Sequence, residues 1–598
     1  MLAPKARNLQ AAAFATAIIA WAPLPAPGST GGSARSPIRV IRQRNLRGVL
    51  IFSHPEILRT CPVRLPKRSV PVRGHALMPR QPPGGPTTLR FSACFRSTNF
   101  ANMNLVTAFG RTAQLHPKKP ALFWGDEEFS YEQLFAQTAL ATTKLLALGV
   151  KPGDRVGLWL KNCPEFVPAI FSILACGAVA VPINNFLKPD EIEHILTDAD
   201  INVIVTDSAM AEHLPALTAL RPQLQCWIVD ELAKPENRTL AQNATPLSAA
   251  NDVQPDDLAV IIYTSGTTGR SKGAMLTHGN LLHNVESCRQ VMAIVDHDRF
   301  VVLLPMFHSF MLCVGVMLPL ITGGSMVLIR SLHPPKNIIA DIFRRRATIL
   351  PAVPSFFRTL AAAEMPPGFP LRICISGGAP LPVEILREFN RKMPIPLIEG
   401  YGLSEASPVV SLNPIQGPQK EGSIGQPIPD VEVTIQDDDG NILPIGSTGE
   451  VCVRGGNVMR GYWNQPEATA KTIRNGWLLT GDVGHGDAEG FFYITDRKKD
   501  MLIVNGINVY PREIEEILYH IPGVKEAAVV GVPDPRRGEH PVAFVAANEG
   551  VTLDEREILN TLRQKLADYK VPKKINFVTA LPRNPTGKVL KRELRQMV

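Results

Sequence analysis

The chain predicts an α/β fold: a large N-terminal domain of α/β subdomains with mostly parallel sheets, followed by a small α+β unit. Three observations carry this expectation. Strand-like and helix-like patterns alternate from Leu105 to about Asp496, which implies parallel strands covered by helices. The strand-like runs are short and continuously apolar, as strands buried on both faces are. At 598 residues, 45% hydrophobic and 20% charged, the chain can bury a large core and form several domains.

The elements follow in order. Residues 1–102 are rich in Arg, Pro and Gly and carry fifteen Lys/Arg against Glu56 alone, a net +14, while the remainder holds 48 basic and 53 acidic residues, a net −5. The basic balance therefore belongs to the N-terminal segment, and nucleic-acid binding by the body is not expected. This segment reads as a disordered extension or as upstream sequence ahead of a native start at Met103,. Two rival readings compete. Lys5 and Arg7 ahead of the apolar Ala11–Trp21 run mimic a secretory signal, and the Arg-rich, acid-poor composition mimics an organellar transit peptide,.

Ser130-Tyr131-Glu132-Gln133 is a capping box that opens a helix reaching about Leu148,. Arg155–Leu160 reads as a strand, Pro164–Ala175 as a helix, and Ala178–Pro182 and Ile201–Thr206 as strands. Leu258–Ile262 has the length and β-branched content of a buried strand,. Val301–Ile321 is almost wholly apolar, but Pro305, His308, Ser309 and Pro319 interrupt it, so a buried wall of a substrate site is expected rather than a spanning helix,. Beyond Asp496, Pro511 begins a helix with Ile514, Ile517, Leu518 and Ile521 on one face. Glu526–Val532 follows as a strand and Asp554–Asp568 as a second helix. Nine cysteines at scattered spacings, with no Cys-x-x-Cys pair, indicate neither a disulfide framework nor a zinc site,.

The strongest motif follows the strand at Leu258. Thr264-Ser265-Gly266-Thr267-Thr268-Gly269-Arg270-Ser271-Lys272-Gly273 combines glycines, hydroxyls and cations. Such a loop turns backbone N–H groups and hydroxyls toward anionic oxygens and adds a lysine charge, so a polyphosphate is the natural guest. A Walker A loop would place glycine directly before the lysine, where Ser271 stands,.

With this loop, six further stretches occur in order: Gly377-Gly378-Ala379-Pro380, Gly400-Tyr401-Gly402-Leu403-Ser404-Glu405, Thr480-Gly481-Asp482, Asp496-Arg497-Lys498-Lys499-Asp500, Asn505-Gly506 and Pro585-Thr586-Gly587-Lys588. Together they resemble the adenylate-forming superfamily, and within it bacterial medium- and long-chain fatty acyl-CoA synthetases. The resemblance spans Leu105 to the C-terminus; Ser271 stands where the family usually has proline.

The resemblance implies two half-reactions. A carboxylate attacks the α-phosphate of ATP to give acyl-AMP and pyrophosphate, and a thiol then takes the acyl group. It implies that Thr264, Ser265, Gly266, Thr267, Thr268, Gly269 and Lys272 wrap the β and γ phosphates, and that Glu405 with Thr264 holds Mg²⁺. It implies an adenine slot at Gly378, Ala379 and Pro380, with Gly400, Tyr401, Gly402 and Ser404 around the nucleotide and Tyr401 as a stacking ring. Asp482 and Arg497 resemble the ribose-binding pair, and Lys588 the lid lysine reaching the α-phosphate and carboxylate. The implied domains are 103–498 for adenylation and 499–598 for a mobile lid, hinged at Lys499; Gly506 lines the CoA channel and His308 the acyl pocket.

A fatty acid is the expected substrate, with ATP and CoA as co-substrates, because no obvious Asp marks an amino-acid ammonium site and Val301–Ile321 suits a greasy wall. An aryl-CoA ligase, an acyl-ACP synthetase or fatty acyl-AMP ligase using a carrier protein, and a noncatalytic sensor are the alternatives. Lys588, Glu405 and Asp482 weigh against the last. A cytoplasmic protein is expected, with at most peripheral contact at the inner face of the membrane; a homodimer is compatible with the sequence.

Overall fold

The computed structural model describes residues 102–233, 252–264, 271–332, 334, 336–363, 368–584 and 587–598. The expectations for residues 1–101 lie outside the described residues, as does most of the phosphate loop, Ser265–Arg270.

Two large sheets form the body. In a seven-stranded sheet, Arg155–Trp159 lies centrally between Val179–Pro182 and Val203–Thr206, all parallel. In a nine-stranded sheet, six strands from Leu397–Gly402 through Ile373–Ser376, Ile349–Ala352, Arg299–Val302 and Ser325–Leu328 to Pro120–Trp124 run parallel, with antiparallel strands at both edges. One hydrophobic core joins residues of both sheets and of the helices between them. Helix Phe166–Ala175 is buried at every position, the expected state of an element apolar all round.

Local signals set the helix starts. The Ser130 hydroxyl accepts from the Gln133 N–H while the Gln133 side chain returns to the Ser130 N–H, so the capping box is made and the helix runs Tyr131–Ala147. Asn104/Thr107 and Thr277/Asn280 do the same for helices Leu105–Leu115 and His278–Val291.

The apolar Val301–Ile321 stretch divides into the end of strand Arg299–Val302, a π-helical segment Met311–Met317 and the short helix Leu318–Thr322, with Pro319 in its first turn where no N–H is needed,. Both helical segments are buried up to Ile321. Among the described residues no helix is long and apolar enough to cross a membrane. The seven cysteines among them are all unpaired.

A five-stranded antiparallel sheet follows, in which Trp477–Gly486 pairs with both Gly449–Gly455 and Phe492–Arg497. The C-terminal unit has its own five-stranded sheet, built around the long pair Val524–Asp534 and Gly538–Ala547. Helix Pro511–Tyr519 buries Ile514 and Leu518 in its core. Ile521 lies two residues past that helix, and the second helix is shorter than expected, Glu555–Lys565 with Asp554 as its cap.

Candidate active site

The strand at Leu258 extends to Thr264 and pairs antiparallel with Lys272–Thr277, so the residues flanking the phosphate motif lie on adjacent strands. Thr264 and Lys272 face each other in the last register pair. The next strand over, Gly461–Tyr462, pairs with Met275 and Ala274. Tyr462 therefore lies diagonal to Lys272 on one face of the sheet, and the Lys272 ammonium sits 5.1 Å from its ring centroid,.

Glu405 comes to the same corner from a short helical turn, Ser404–Ala406, at the end of Leu397–Gly402. Its Oε1 accepts from the Tyr462 hydroxyl at 3.0 Å and from Thr264 Oγ1 at 3.4 Å. Both donors use one oxygen. A single carboxylate beside a phosphate loop suits Mg²⁺, a hard cation that keeps waters and fills its remaining positions with substrate phosphate oxygens. The residues present therefore fit the ion that the sequence resemblance implies. Ser404 also bonds Ser309 of the apolar wall, hydroxyl to hydroxyl at 2.9 Å.

A second cluster forms where Asp482 and Arg497 stand opposite each other on adjacent strands. Arg497 Nε lies 3.0 Å from Asp482 Oδ1, and the Tyr401 hydroxyl donates to Oδ2. Asp482 is only 2% exposed, a burial such a carboxylate tolerates because it is paired. Burial and the Asp482 charge push the Tyr401 phenol well above its ordinary range. Burial alone would weaken the Arg497 cation, but Asp482 and Tyr401 hold it above its usual value.

Gly378 and Pro380 are exposed at the carboxyl end of strand Ile373–Ser376, with Ala379 half-buried between them, where open α/β sheets bind ligands. Behind this turn the Leu381 N–H donates to Glu399 Oε1 at 3.0 Å. Gly402 is required by packing, since a Cβ there would lie 2.0 Å from the Pro408 carbonyl oxygen. The same construction at Gly400 meets Leu412 Cδ1 at 2.8 Å.

The C-terminal unit supplies Lys588. Its N–H donates to Asn584 Oδ1 at 2.8 Å, and Gly587, at φ +85°, turns the chain close to Val353 of the body. Pro585 and Thr586 lie outside the described residues. Lys588 is an exposed residue, yet desolvation around its amine, then the like charges of Arg497 and Lys499, lower it to about 8 against the opposing pull of Asp482 and Asp500. Lys499 is lowered for the same reasons, desolvation first and Arg497 next.

His308 lines a small cavity with Leu304, Pro305, Phe310, Met311, Val353 and Gly378. Burial, with the nearby Lys588 charge, lowers its imidazole to about 4, so it is neutral at physiological pH. Asn162 fixes this wall, donating to the Leu304 carbonyl and accepting from the Met306 N–H, both at 2.9 Å.

The space around Gly506 is open. A Cβ there would meet nothing within 4 Å, and the glycine is instead demanded by φ +78°. Asn505, at φ +53°, and Gly506 form the two-residue turn joining strands Leu502–Val504 and Ile507–Val509, the Asn-Gly hairpin preference.

The structure thus gathers Thr264, Lys272 and Glu405 at one corner, and Tyr401, Asp482, Arg497, Lys499, Lys588 and His308 at another, with the Gly378–Pro380 turn against the His308 cavity. The sequence reading missed Tyr462, Glu399 and Asn162. The signals present were a Gly-Tyr pair, a carboxylate inside an apolar strand and an Asn after a strand, each of which acquires meaning only through tertiary pairing.

Residues 109–463 match the family of AMP-binding enzymes and residues 513–588 the AMP-binding enzyme C-terminal domain. A feruloyl-CoA synthase of Amycolatopsis sp is 37% identical, the match covering 81% of this chain and 97% of that protein. A long-chain-fatty-acid–CoA ligase of Bacillus subtilis is 35% identical, over 82% of this chain and 94% of the relative. Among solved structures, ATP-bound MatB from Rhodopseudomonas palustris superposes with a TM-score of 0.76 at 34% identity, over 83% of this chain and 99% of that one. The anthranilate CoA ligase AuaEII with anthranoyl-AMP gives 0.75 at 30%, over 83% and 97%. Sequence, fold and the arrangement of charged groups agree: the chain belongs to the AMP-binding, adenylate-forming enzymes and is an AMP-forming acid–CoA ligase.

Proposed function

We propose that the protein activates a medium- or long-chain fatty acid with ATP to acyl-AMP and then transfers the acyl group to CoA. The observation that carries this reading is the Arg497–Asp482 pair, Nε to Oδ1 at 3.0 Å, with Lys588 near enough for its charge to act on both this cluster and His308. Adenylation brings two anions together, so the site must neutralise charge and hold attacking and leaving oxygens in line; it needs no covalent nucleophile. On this reading Lys588 stabilises charge on the α-phosphate and carboxylate, and Arg497 orients Asp482 to accept from the ribose hydroxyls. The neutral His308 borders the acid without adding a competing charge. Lys272 and the Thr264–Gly269 segment hold the outer phosphates, and the Gly378–Pro380 turn and Tyr401 hold the base. Mg²⁺, held by Glu405 and Thr264, would screen the phosphate charges.

For thioester formation the thiol needs the space that Lys588 fills, so residues 499–598 would rotate as a lid about Lys499 over the 103–498 body, bringing Gly506 to the pantetheine path. The apolar lining of the cavity by Leu304, Met311 and Val353 supports an apolar acid. Each buried methylene would add roughly 0.8 kcal/mol. A second reading, an aromatic acid, is favoured by the small size of that cavity and by the relative named feruloyl-CoA synthase.

The test is pyrophosphate release with laurate, palmitate, benzoate and ferulate, with and without CoA, with the products weighed by mass spectrometry. Palmitoyl- or lauroyl-CoA is the expected product. Feruloyl- or benzoyl-CoA alone would move the substrate to the aryl acids, and acyl-AMP without thioester would point to a carrier-protein acceptor. No pyrophosphate with any acid would overturn the substrate reading.

A further inference from the structure

We propose that Tyr462 is a positioning residue that fixes, with one side chain, both the Glu405 carboxylate and the Lys272 ammonium. The inference rests on the proposed function, in which these two groups meet the metal and the phosphates, and goes beyond it by naming what aligns them.

The hydrogen-bond direction is built in. The Tyr462 hydroxyl oxygen lies 3.0 Å from Glu405 Oε1. An ionised carboxylate only accepts, so the phenol proton points at Glu405. Thr264 supplies a longer contact, 3.4 Å, to the same oxygen. Oε2 thereby keeps its lone pairs for a cation, with no hydrogen-bond donor on it among the described residues. The opposite resource of the side chain is its ring face, which carries Lys272 Nζ at 5.1 Å, an attraction worth more as the site loses water. A hydroxyl and a π face thus hold an anion and a cation at a fixed separation.

Tyr462 is itself braced. Its N–H donates to Thr469 Oγ1 at 2.9 Å, and that hydroxyl donates back to the Gln465 carbonyl at 2.9 Å. Thr469 belongs to helix Pro466–Thr472. The backbone of the tyrosine is tied on its other side to Ala274, two residues along the strand from Lys272. Merely filling space would require none of these polar contacts.

The two roles separate by substitution. Tyr462→Phe keeps the ring and removes the hydroxyl; Tyr462→Leu removes both. Mn²⁺ binding to the full chain saturated with α,β-methylene-ATP is followed by electron paramagnetic resonance, and binding of the metal-free nucleotide by calorimetry in EDTA. Tyr462→Phe is expected to weaken Mn²⁺ about tenfold and leave metal-free nucleotide binding unchanged. Tyr462→Leu is expected also to weaken the metal-free nucleotide, about fivefold. Unchanged Mn²⁺ affinity in Tyr462→Phe would overturn the proposal while leaving the enzyme assignment standing, as would equal loss of metal-free nucleotide in the Phe and Leu variants. Wild-type protein that takes up neither metal nor nucleotide would overturn both.

Discussion

At the residue scale the decisive groups are those whose ordinary chemistry the fold has changed. Lys588 is an ammonium among like charges, lowered to about 8. Its charge is present below that pH and lost above it, so adenylation should decline as pH rises past about 8. Transfer from supplied acyl-AMP should lack this limb; stopped-assay rates of the two half-reactions against pH test the difference. Lys588→Ala should cut pyrophosphate release about a hundredfold or more, the scale of one charge-stabilising donor, and spare thioester formation from supplied acyl-AMP. His308 behaves oppositely in stability. Its folded pKa, about 4, lies below the ordinary histidine value of 6.5, so the unfolded chain binds the extra proton first and stability falls as pH drops from about 6.5 towards 4. In His308→Leu this share of the acid sensitivity should vanish, seen as a smaller fall in melting temperature between pH 7 and 5.

At the element scale, what was legible in the sequence was what local rules decide. Ser130 and Gln133 gave the helix start because a capping box is made by residues three apart,. The strands at Arg155, Val179 and Val203 were readable because burial on both faces leaves an apolar run,. The antiparallel strand Lys272–Thr277 was not legible because it begins with a cation and a glycine rather than an apolar run. At Gly506 the motif identifies the residue, while φ +78° with open space around it identifies what the glycine does for the backbone here. Gly506→Ala should therefore cost about 1 kcal/mol in unfolding experiments through backbone strain and leave adenylation nearly unchanged. A larger loss confined to the CoA step would show that the close approach arises when thiol is bound.

At the scale of the whole molecule, most of the parallel body and both charged clusters followed from motif order, since each motif sits at a strand end or turn that the sheets bring together. Tyr462, Glu399 and Asn162 escaped because their partners are 57, 18 and 142 to 144 residues away. The placement of the C-terminal unit was equally hidden, being set by contacts such as Arg358, whose guanidinium donates to the Lys525 carbonyl and lies 5.7 Å from the Tyr519 ring centroid. Arg358→Ala should slow pyrophosphate release about fivefold, a loss on the order of 1 kcal/mol, and leave transfer from acyl-AMP unchanged, as comparison of the two rates would reveal.

The cluster of Lys588, Arg497 and Lys499 has a further consequence for the order of events. Three cations drawn together repel, and a bound triphosphate relieves that repulsion, whereas AMP-linked product, after pyrophosphate departs, relieves less of it. Nucleotide charge would then act as the clasp of the closed state, with its own consumption loosening it. Tryptic cleavage around 497–499 should be slowest with ATP bound, faster with acyl-AMP and fastest with the site empty, and rising salt should shrink the differences as screening replaces the phosphates.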